Sequence, residues 1–348
     1  MQGFLMPLKT RLKTLYNKLP EPGDSLEIAP GVNWICMPLP FLPAFINCWL
    51  LEAEDGFTLI DTGVNNSKTK KIWESILRKQ CTEKPLKRLI ISHFHPDHIG
   101  LAGWFVQKFQ VHLLMPQPEW LYARALYLLP DTTLGEIMVD FYRRCGCESE
   151  FLDYANKGGN TYAHSISAIP HNFRRIEKHQ KLHLTESNWF TECSSGHSPA
   201  QLTLYNQEHA LLIAADQILP HISPNISVWP EEPFGNPLQH YLDSLKDFEY
   251  FNADVTMLPS HGYPTKNIPQ RLRQLAHHHD ERLEIIYNSC KKPQTASEVA
   301  AAMLGGEVGL QHVFFAVGEA LAHLNYLVEK GEIIRSVNSK NVWNYQQK

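Results

Sequence analysis

Apolar residues in the first three quarters of this chain fall into short runs that stop abruptly at polar ones. Phe57 to Ile60 runs into Asp61-Thr62-Gly63, Leu89 to Ile91 into Ser92-His93, Ala210 to Ala215 into Asp216, and Met257-Leu258-Pro259 into Ser260-His261-Gly262. Gln201 to Tyr205 alternates instead. Runs this short, closed by turn-forming residues, predict buried strands, and the alternation predicts a strand with two unlike faces. Between these groups, residues 115 to about 180 read as helical, with Trp120, Tyr122, Tyr127, Phe141, Tyr142 and Tyr154 set among Arg124, Arg143 and Arg144. The aromatic residues fit either a core of the insertion's own or a lid over the strand ends.

Beyond Pro264 the pattern becomes helical throughout. Arg271 to Cys290 places Leu272, Leu275, Leu283 and Ile286 on one face, with His277-His278-His279 expected to be solvated. Lys291-Lys292-Pro293 breaks that helix, and Thr295-Ala296-Ser297-Glu298 forms a capping box that opens another, running to Leu304 and ended by Gly305-Gly306. Val317, Leu321, Leu324 and Val328 mark a third helix closed by Gly331. Two strands follow, Ile333 to Val337 and Val342 to Tyr345, joined by the turn Asn338-Ser339-Lys340. The expected division is an N-terminal extension over 1–24, a catalytic domain over 25–265 and a C-terminal domain over 266–348.

Chemistry enters at the strand ends. Ser92-His93-Phe94-His95-Pro96-Asp97-His98 packs three imidazoles and a carboxylate into consecutive positions behind an apolar run. Neutral imidazole and carboxylate donors suit zinc and similar first-row ions. A strand running out into a loop aims His93 and His95 at one point and leaves Asp97 and His98 to face a second. Asp61 arrives at the end of an upstream strand as a candidate ligand or as the partner of one. His197, in Gly196-His197-Ser198-Pro199, sits in a loop between strands, and Asp216 ends a buried run where a carboxylate needs a partner. His261 closes the series.

The order Asp, then H-x-H-x-D-H, then His, Asp and His resembles the metallo-β-lactamase-fold hydrolases over roughly residues 25 to 265. The resemblance implies an α+β fold: an αβ/βα sandwich of two mixed sheets with helices outside and the site at one edge. It also implies one metal on His93, His95 and His197 and a second on Asp97, His98 and His261, with Asp216 bridging them and Asp61 behind the ligands. Asp97, Asp216 and His261 would then serve catalysis. The expected cofactor is two divalent ions, zinc first, with iron or manganese served by the same donors. A hydroxide bridging the pair would be the nucleophile, with no serine or cysteine required. Two departures are visible: Ser92 stands where threonine is commoner, and Ala215 where glycine often precedes the bridging aspartate. After Asp216, the loop Ile218 to Ile226 carries His221, Ser223 and Asn225, expected to wall the pocket and contact substrate. The C-terminal three helices and hairpin resemble the winged-helix domain that follows the hydrolase domain in some members of this superfamily.

Composition narrows the function. Thirty-two lysines and arginines against 36 aspartates and glutamates give a net charge of −4, which argues for neither nucleic acid nor an anionic membrane. From Arg271 to Lys348 nine basic residues face eight acidic ones, without the basic stripe that a DNA- or RNA-binding winged helix needs. That domain is expected to pack on the catalytic one, border the pocket or build a homodimer. Seven cysteines, an odd and scattered set that includes Cys145-Gly146-Cys147, predict reduced thiols and no disulfide framework. Cys193 is expected to be a spectator. Arg174 and Arg175 could grip an anionic group, although a solvated pair is the simpler expectation. Met1 to Pro20, with Lys9, Arg11, Lys13 and Lys18, is expected to form a packed or frayed terminal helix. No signal peptide or membrane span is expected, which places the chain in the cytoplasm. The leading function is hydrolysis of a small or acyl substrate, first a thioester, as the resemblance to hydroxyacylglutathione hydrolase-like enzymes implies, with lactones and esters near it; the alternative is a metal-dependent endoribonuclease.

Overall fold

The computed structural model describes residues 12–306 and 309–348. Two mixed sheets carry the fold. The first holds seven strands in chain order: β1 (Leu26–Ala29), β2 (Val32–Pro38), β3 (Phe45–Ala53), β4 (Gly56–Ile60), β5 (Leu86–Ile90), β6 (His112–Pro116) and β7 (Arg174–Ile176). Its first four strands form antiparallel hairpins and the rest run parallel, because the connections from β4 to β7 pass through helices. The second sheet is β8 (Lys181–His183), β9 (Asn188–Ser194), β10 (Gln201–Asn206), β11 (Leu211–Ala215) and β12 (Thr256–Pro259), with only β11 and β12 parallel.

The inner faces meet in a core that includes Trp34, Trp49, Ile60 and Ile90 from the first sheet and Trp189, Leu202, Leu204 and Ile213 from the second. On the outer face of the first sheet lie α1 (Ser67–Gln80) and α3 (Ala102–Phe109), separated by the single turn α2 (Pro96–Ile99). Thr69, Trp73, Ile76 and Leu77 make the buried stripe of α1, the spacing of one helical face. The central strands are therefore covered on both sides, which is why Phe57 to Ile60 and Ala210 to Ala215 read as continuous apolar runs.

The insertion is helical as expected: α4 (Gln117–Leu128), α5 (Asp131–Arg144), α6 (Ser149–Gly158) and α7 (Thr161–Ser165). Its aromatic residues divide between two neighbours. Trp120 stacks on Phe173 and Tyr122 meets Phe94, whereas Phe141, Tyr142 and Phe151 join the C-terminal core. Arg174 and Arg175 are exposed on β7.

After α8 (Pro237–Leu245) come α9 (Ile268–Ser289), α10 (Ala296–Leu304), α11 (Leu310–Glu329) and the hairpin β13 (Ile333–Val337) and β14 (Trp343–Gln347). The capping box at Thr295 and Glu298 forms as the sequence predicts. One continuous apolar core joins these helices to the outer face of β11 and β12 and to α5, α6 and α8.

Two expectations are corrected. His277-His278-His279 is not a solvated stretch: His278 and His279 are buried, because 3.6 residues per turn put them on the face of Leu275, Arg282 and Ile286, and only His277 points out. No helix covers residues 12–20; Thr14 instead bridges Thr265, Leu15 donates to the carbonyl of Pro264 and Leu12 is buried. Met1 to Arg11, including Lys9 and Arg11, lies outside the described residues. Among the described residues no helix is long and apolar enough to cross a membrane.

Candidate metal centre

Every predicted ligand comes from a strand end or the turn after it, on one edge of the sandwich. β5 delivers Ser92 to His95, and Pro96 opens the turn α2 that carries Asp97 and His98. His197 stands between β9 and β10, Asp216 directly after β11 and His261 just after β12. The backbone is bent to place them. Gly196 has φ +118, and a Cβ there would collide with Tyr241. Asp61 and Ala215 take the left-handed region at φ 59 and 46, unfavourable for any residue with a Cβ. The glycine common before the bridging aspartate would be free of that cost.

Four of the five imidazoles, all but His95, are oriented by one ring nitrogen and offer the other. His197 donates through Nδ1 to the carbonyl of Asn225 (2.8 Å) and His261 through Nδ1 to the carbonyl of Phe45 (2.9 Å). His98 Nδ1 faces Asp61 Oδ2 at 2.8 Å, and His93 Nδ1 faces the Ser92 hydroxyl at 3.0 Å. Such partners fix the tautomer and aim the free nitrogen, as around metal-bound histidines. Asp61 accepts from the amide and the hydroxyl of Ser92 as well, so Ser92 and Asp61 form one buried platform beneath His93 and His98.

The free atoms converge. His93 Nε2 lies 2.9 Å from His95 Nδ1 and 3.3 Å from His197 Nε2. Asp97 Oδ2 is 3.3 Å from His261 Nε2 and 3.7 Å from His98 Nε2. Asp216 stands between: one oxygen is 3.5 Å from His197 Nε2 and 3.6 Å from His98 Nε2, the other 3.6 Å from His261 Nε2. Three donor groups have all their atoms within 4.8 Å of one another: His93, His95 and His197; His93, His98 and Asp216; and Asp97, His98 and His261. His98 Nε2 and Asp216 Oδ1 are buried without a hydrogen-bond partner. Orphaned polar atoms aimed at one space, in a set of imidazoles and carboxylates, fit divalent cations.

The electrostatics divide the imidazoles: against burial, the carboxylates of Asp97 and Asp216 hold His98 and His261 up toward the charged form that a cation would replace. Burial, reinforced by neighbouring histidines, holds His93 well below the ordinary histidine range and His95 down to about 3, so both present neutral lone pairs. Burial opposes charge on Asp216 too, but His261 and His98 outweigh it and keep the carboxylate ionised.

Sequence reasoning missed three supports. Glu119, fully buried in the first turn of α4, accepts from the amide of Phe94 between the two H-x-H histidines, and from the Ser198 hydroxyl and the Ala200 amide beyond His197. It staples two ligand loops together, and burial pushes its carboxyl up to about 7. Asn47 on β3 donates to the carbonyls of Pro259 and Gly262 and so clamps the His261 turn across the sheets. Arg271 on α9, buried, donates to the carbonyls of Leu219 and Ile222. A glutamate in an expected first helical turn and an arginine opening a helix gave no local signal of either contact.

The three residues expected to touch substrate have separate settings. Asn225 orients His197 through its carbonyl, the Ser223 hydroxyl faces His278 Nε2 at 3.2 Å, and His221 sits beside Gly262. A cleft of about 340 Å³ that reaches His197 opens elsewhere, beside Phe94, with walls from Tyr122, Val228 and Trp229. Cys145 and Cys147 are buried free thiols, and Cys193 is half-buried.

Residues 42–261 match the metallo-beta-lactamase superfamily. The chain belongs to that superfamily. Residues 283–348 match the metallo-beta-lactamase-like C-terminal domain, so both halves share the assignment. The chain is similar to a crystal structure of a beta-lactamase domain protein from Burkholderia ambifaria, at 34% identity and a TM-score of 0.90 over 97% of this chain and 98% of that one. A metallo-beta-lactamase family protein from Thermus thermophilus shares the fold at 23% identity, a TM-score of 0.76 and coverage of 92% and 100%. The probable metallo-hydrolase YqjP of Bacillus subtilis is 22% identical over 87% of this chain and 93% of its own length. A linear primary-alkylsulfatase of a Pseudomonas species is 26% identical over 62% of this chain, which spans only 41% of that relative. These superfamily relatives support a metal-dependent hydrolase.

Proposed function

We propose that the protein holds two divalent cations, zinc by first expectation, and hydrolyses a small acyl derivative, a thioester, ester or lactone with an apolar segment. The position of Asp216 carries this reading: its carboxylate faces the His93, His95 and His197 group and the Asp97, His98 and His261 group at once. On this reading the first group holds one ion, the second group the other, and Asp216 both. When bound, such a pair supplies Lewis acidity to an acyl oxygen and makes water nucleophilic near neutral pH.

The chain's own residues do the rest. Ser92, Asp61, Asn225 and Phe45 hold the imidazoles in the ligating tautomer. Asp97, 15% exposed where the histidines behind it are almost covered, is the carboxylate best placed to orient water and take its proton. Phe94, Tyr122, Val228 and Trp229 offer an apolar segment a dry wall next to His197. The burial of α11 from Ala316 to Asn325 leaves that span no free face for a duplex, which supports a small substrate over RNA.

The test is chelation followed by titration with zinc, iron or manganese, reading bound metal per chain and turnover of a thioester, a lactone, an ester, an alkyl sulfate and a single-stranded RNA. We expect two equivalents and cleavage of a carbonyl substrate. One equivalent, or cleavage confined to the sulfate or the RNA, would overturn the reading.

A further inference from the structure

The cleft beside the candidate metal centre has a charge as well as a shape. From His197 and Phe94 it runs along Tyr122 and Trp229 to the exposed Glu232 and His240, and among the described residues no lysine or arginine lines it. Glu231 stands next to Glu232 and accepts a hydrogen bond from the Tyr122 hydroxyl at 3.1 Å, tying the insertion to the opposite wall. Burial first, and then Glu231, Glu119 and Glu232, push the Tyr122 hydroxyl up, so it keeps its proton and donates to Glu231. Gly235 makes the room: a Cβ there would lie 2.8 Å from the carboxyl carbon of Glu232. With glycine at that position the Glu232 side chain lies back over the loop.

The wall that carries these carboxylates is fixed by the C-terminal domain. Val228 donates to the carbonyl of Gly318 on α11 (3.0 Å), and Asn325 on α11 donates to the carbonyls of Pro233 (3.2 Å) and Gly235 (2.8 Å). Asn236, just past the lip, donates to Glu329 Oε2 at 2.7 Å. These bonds hold the backbone on either side of Glu232 against α11.

We propose that Glu232, backed by Glu231, is a specificity-determining residue: the cleft takes substrates whose segment beyond the scissile carbonyl is neutral or ends in an amine, and turns away anionic tails. The proposal rests on the acyl-hydrolase reading of the same site and adds the charge of the tail. Thioesters of glutathione or of a phosphorylated carrier would thereby be poor substrates, because a carboxylate or phosphate beside Glu232 meets like charge with no lysine or arginine in the lining to offset it.

The test uses the metal-loaded full chain and two matched series of equal length, thioesters for turnover and ketones for binding. Each series ends in trimethylammonium, methyl or carboxylate. We expect the first two ketones to bind about tenfold more tightly than the carboxylate by calorimetry, and kcat/KM of the thioesters to follow the same order. Salt should compress the differences, because the carboxylate is exposed. Glu232→Lys should invert the order. Equal or tighter binding of the carboxylate, or an order that survives Glu232→Lys and high salt, would overturn the proposal. Charge-ordered binding with no turnover in the series would support the lip and remove the acyl-hydrolase reading, whereas turnover without charge order would remove the lip alone.

Discussion

Two regions of this molecule bury clustered histidines, and only one is built to hold a metal. At the sandwich edge, His93, His95, His98, His197 and His261 arrive from loops of both sheets and share their space with Asp97 and Asp216. Between α9 and α11, His278, His279 and His323 lie on two packed helices. There His279 Nδ1 meets His323 Nε2 at 3.1 Å, His323 Nδ1 donates to the carbonyl of Glu319 at 2.8 Å, and the Tyr241 ring lies 5.5 Å from that of His279. Among the described residues no metal-compatible donor group is found in this second cluster. The difference is what accompanies the rings. At the edge, an orphaned imidazole nitrogen and an orphaned carboxylate oxygen converge with further donors. The helical cluster commits both nitrogens of His323 to neighbours, leaves His279 Nε2 without a hydrogen-bond partner but outside any converging group of donors among the described residues, and faces Arg271 and Arg282. Buried histidine alone marks a packed interior; histidine with unpaired carboxylate marks a cation site.

Removing the shared carboxylate should break the edge region most severely. Asp216→Ala is expected to lose at least one of two bound metals by mass spectrometry and to lower kcat by ~1,000-fold or more. Full turnover with two metals retained would overturn the assignment of Asp216. A smaller effect is expected from Glu119→Ala, which cuts the staple without touching a ligand: metal affinity in a chelator competition should fall by roughly 10- to 100-fold, with partial recovery in Glu119→Gln.

The helical cluster should respond to acid. Burial first, and then the nearby arginines, hold His278 down to about 4; burial does the same for His323. Free histidines titrate higher, so their stabilising effect is complete above the unfolded range near 6.5 and is lost as pH falls toward about 4. Glu319, raised to about 7 by burial, works in the opposite sense, so the histidine cost shows as a net loss that it only partly offsets. Thermal melts should fall on acidification with or without chelator, and His323→Met should reduce the stability lost between about pH 6.5 and 4 by ~2 kcal/mol. A slope that vanishes on chelation would place its origin at the metal centre instead. Least affected should be His277→Ala, exposed and 3.5 Å from Glu281, at under ~0.5 kcal/mol by denaturant titration.

Particular residues mark how far local pattern reached. Strand ends at Asp61, Asp216 and His261 were legible because a buried apolar run followed by a polar turn has few other readings. The capping box at Thr295 was legible for the same reason, since its two partners are three residues apart. Glu119 was not: its partners Phe94, Ser198 and Ala200 lie 25 to 81 positions away. His278 and His279 were misread because the expected core face of α9 was drawn from its aliphatic residues, and what meets the next two positions is distant chain: Ser223 at His278, and α11, 44 residues on, at His279.

The sequence by itself determined which side chains stand at strand ends and in what order, because hydrophobic periodicity and turn residues act within a few positions. It also determined the superfamily resemblance and the plan of three C-terminal helices and a hairpin. Only the tertiary structure decided that loops from both sheets meet within a few ångströms, that Glu119 and Arg271 brace them, and that the C-terminal domain holds the cleft wall. Those outcomes depend on long-range packing, in which a polar residue's partner is chosen by whichever distant segment the apolar core brings beside it.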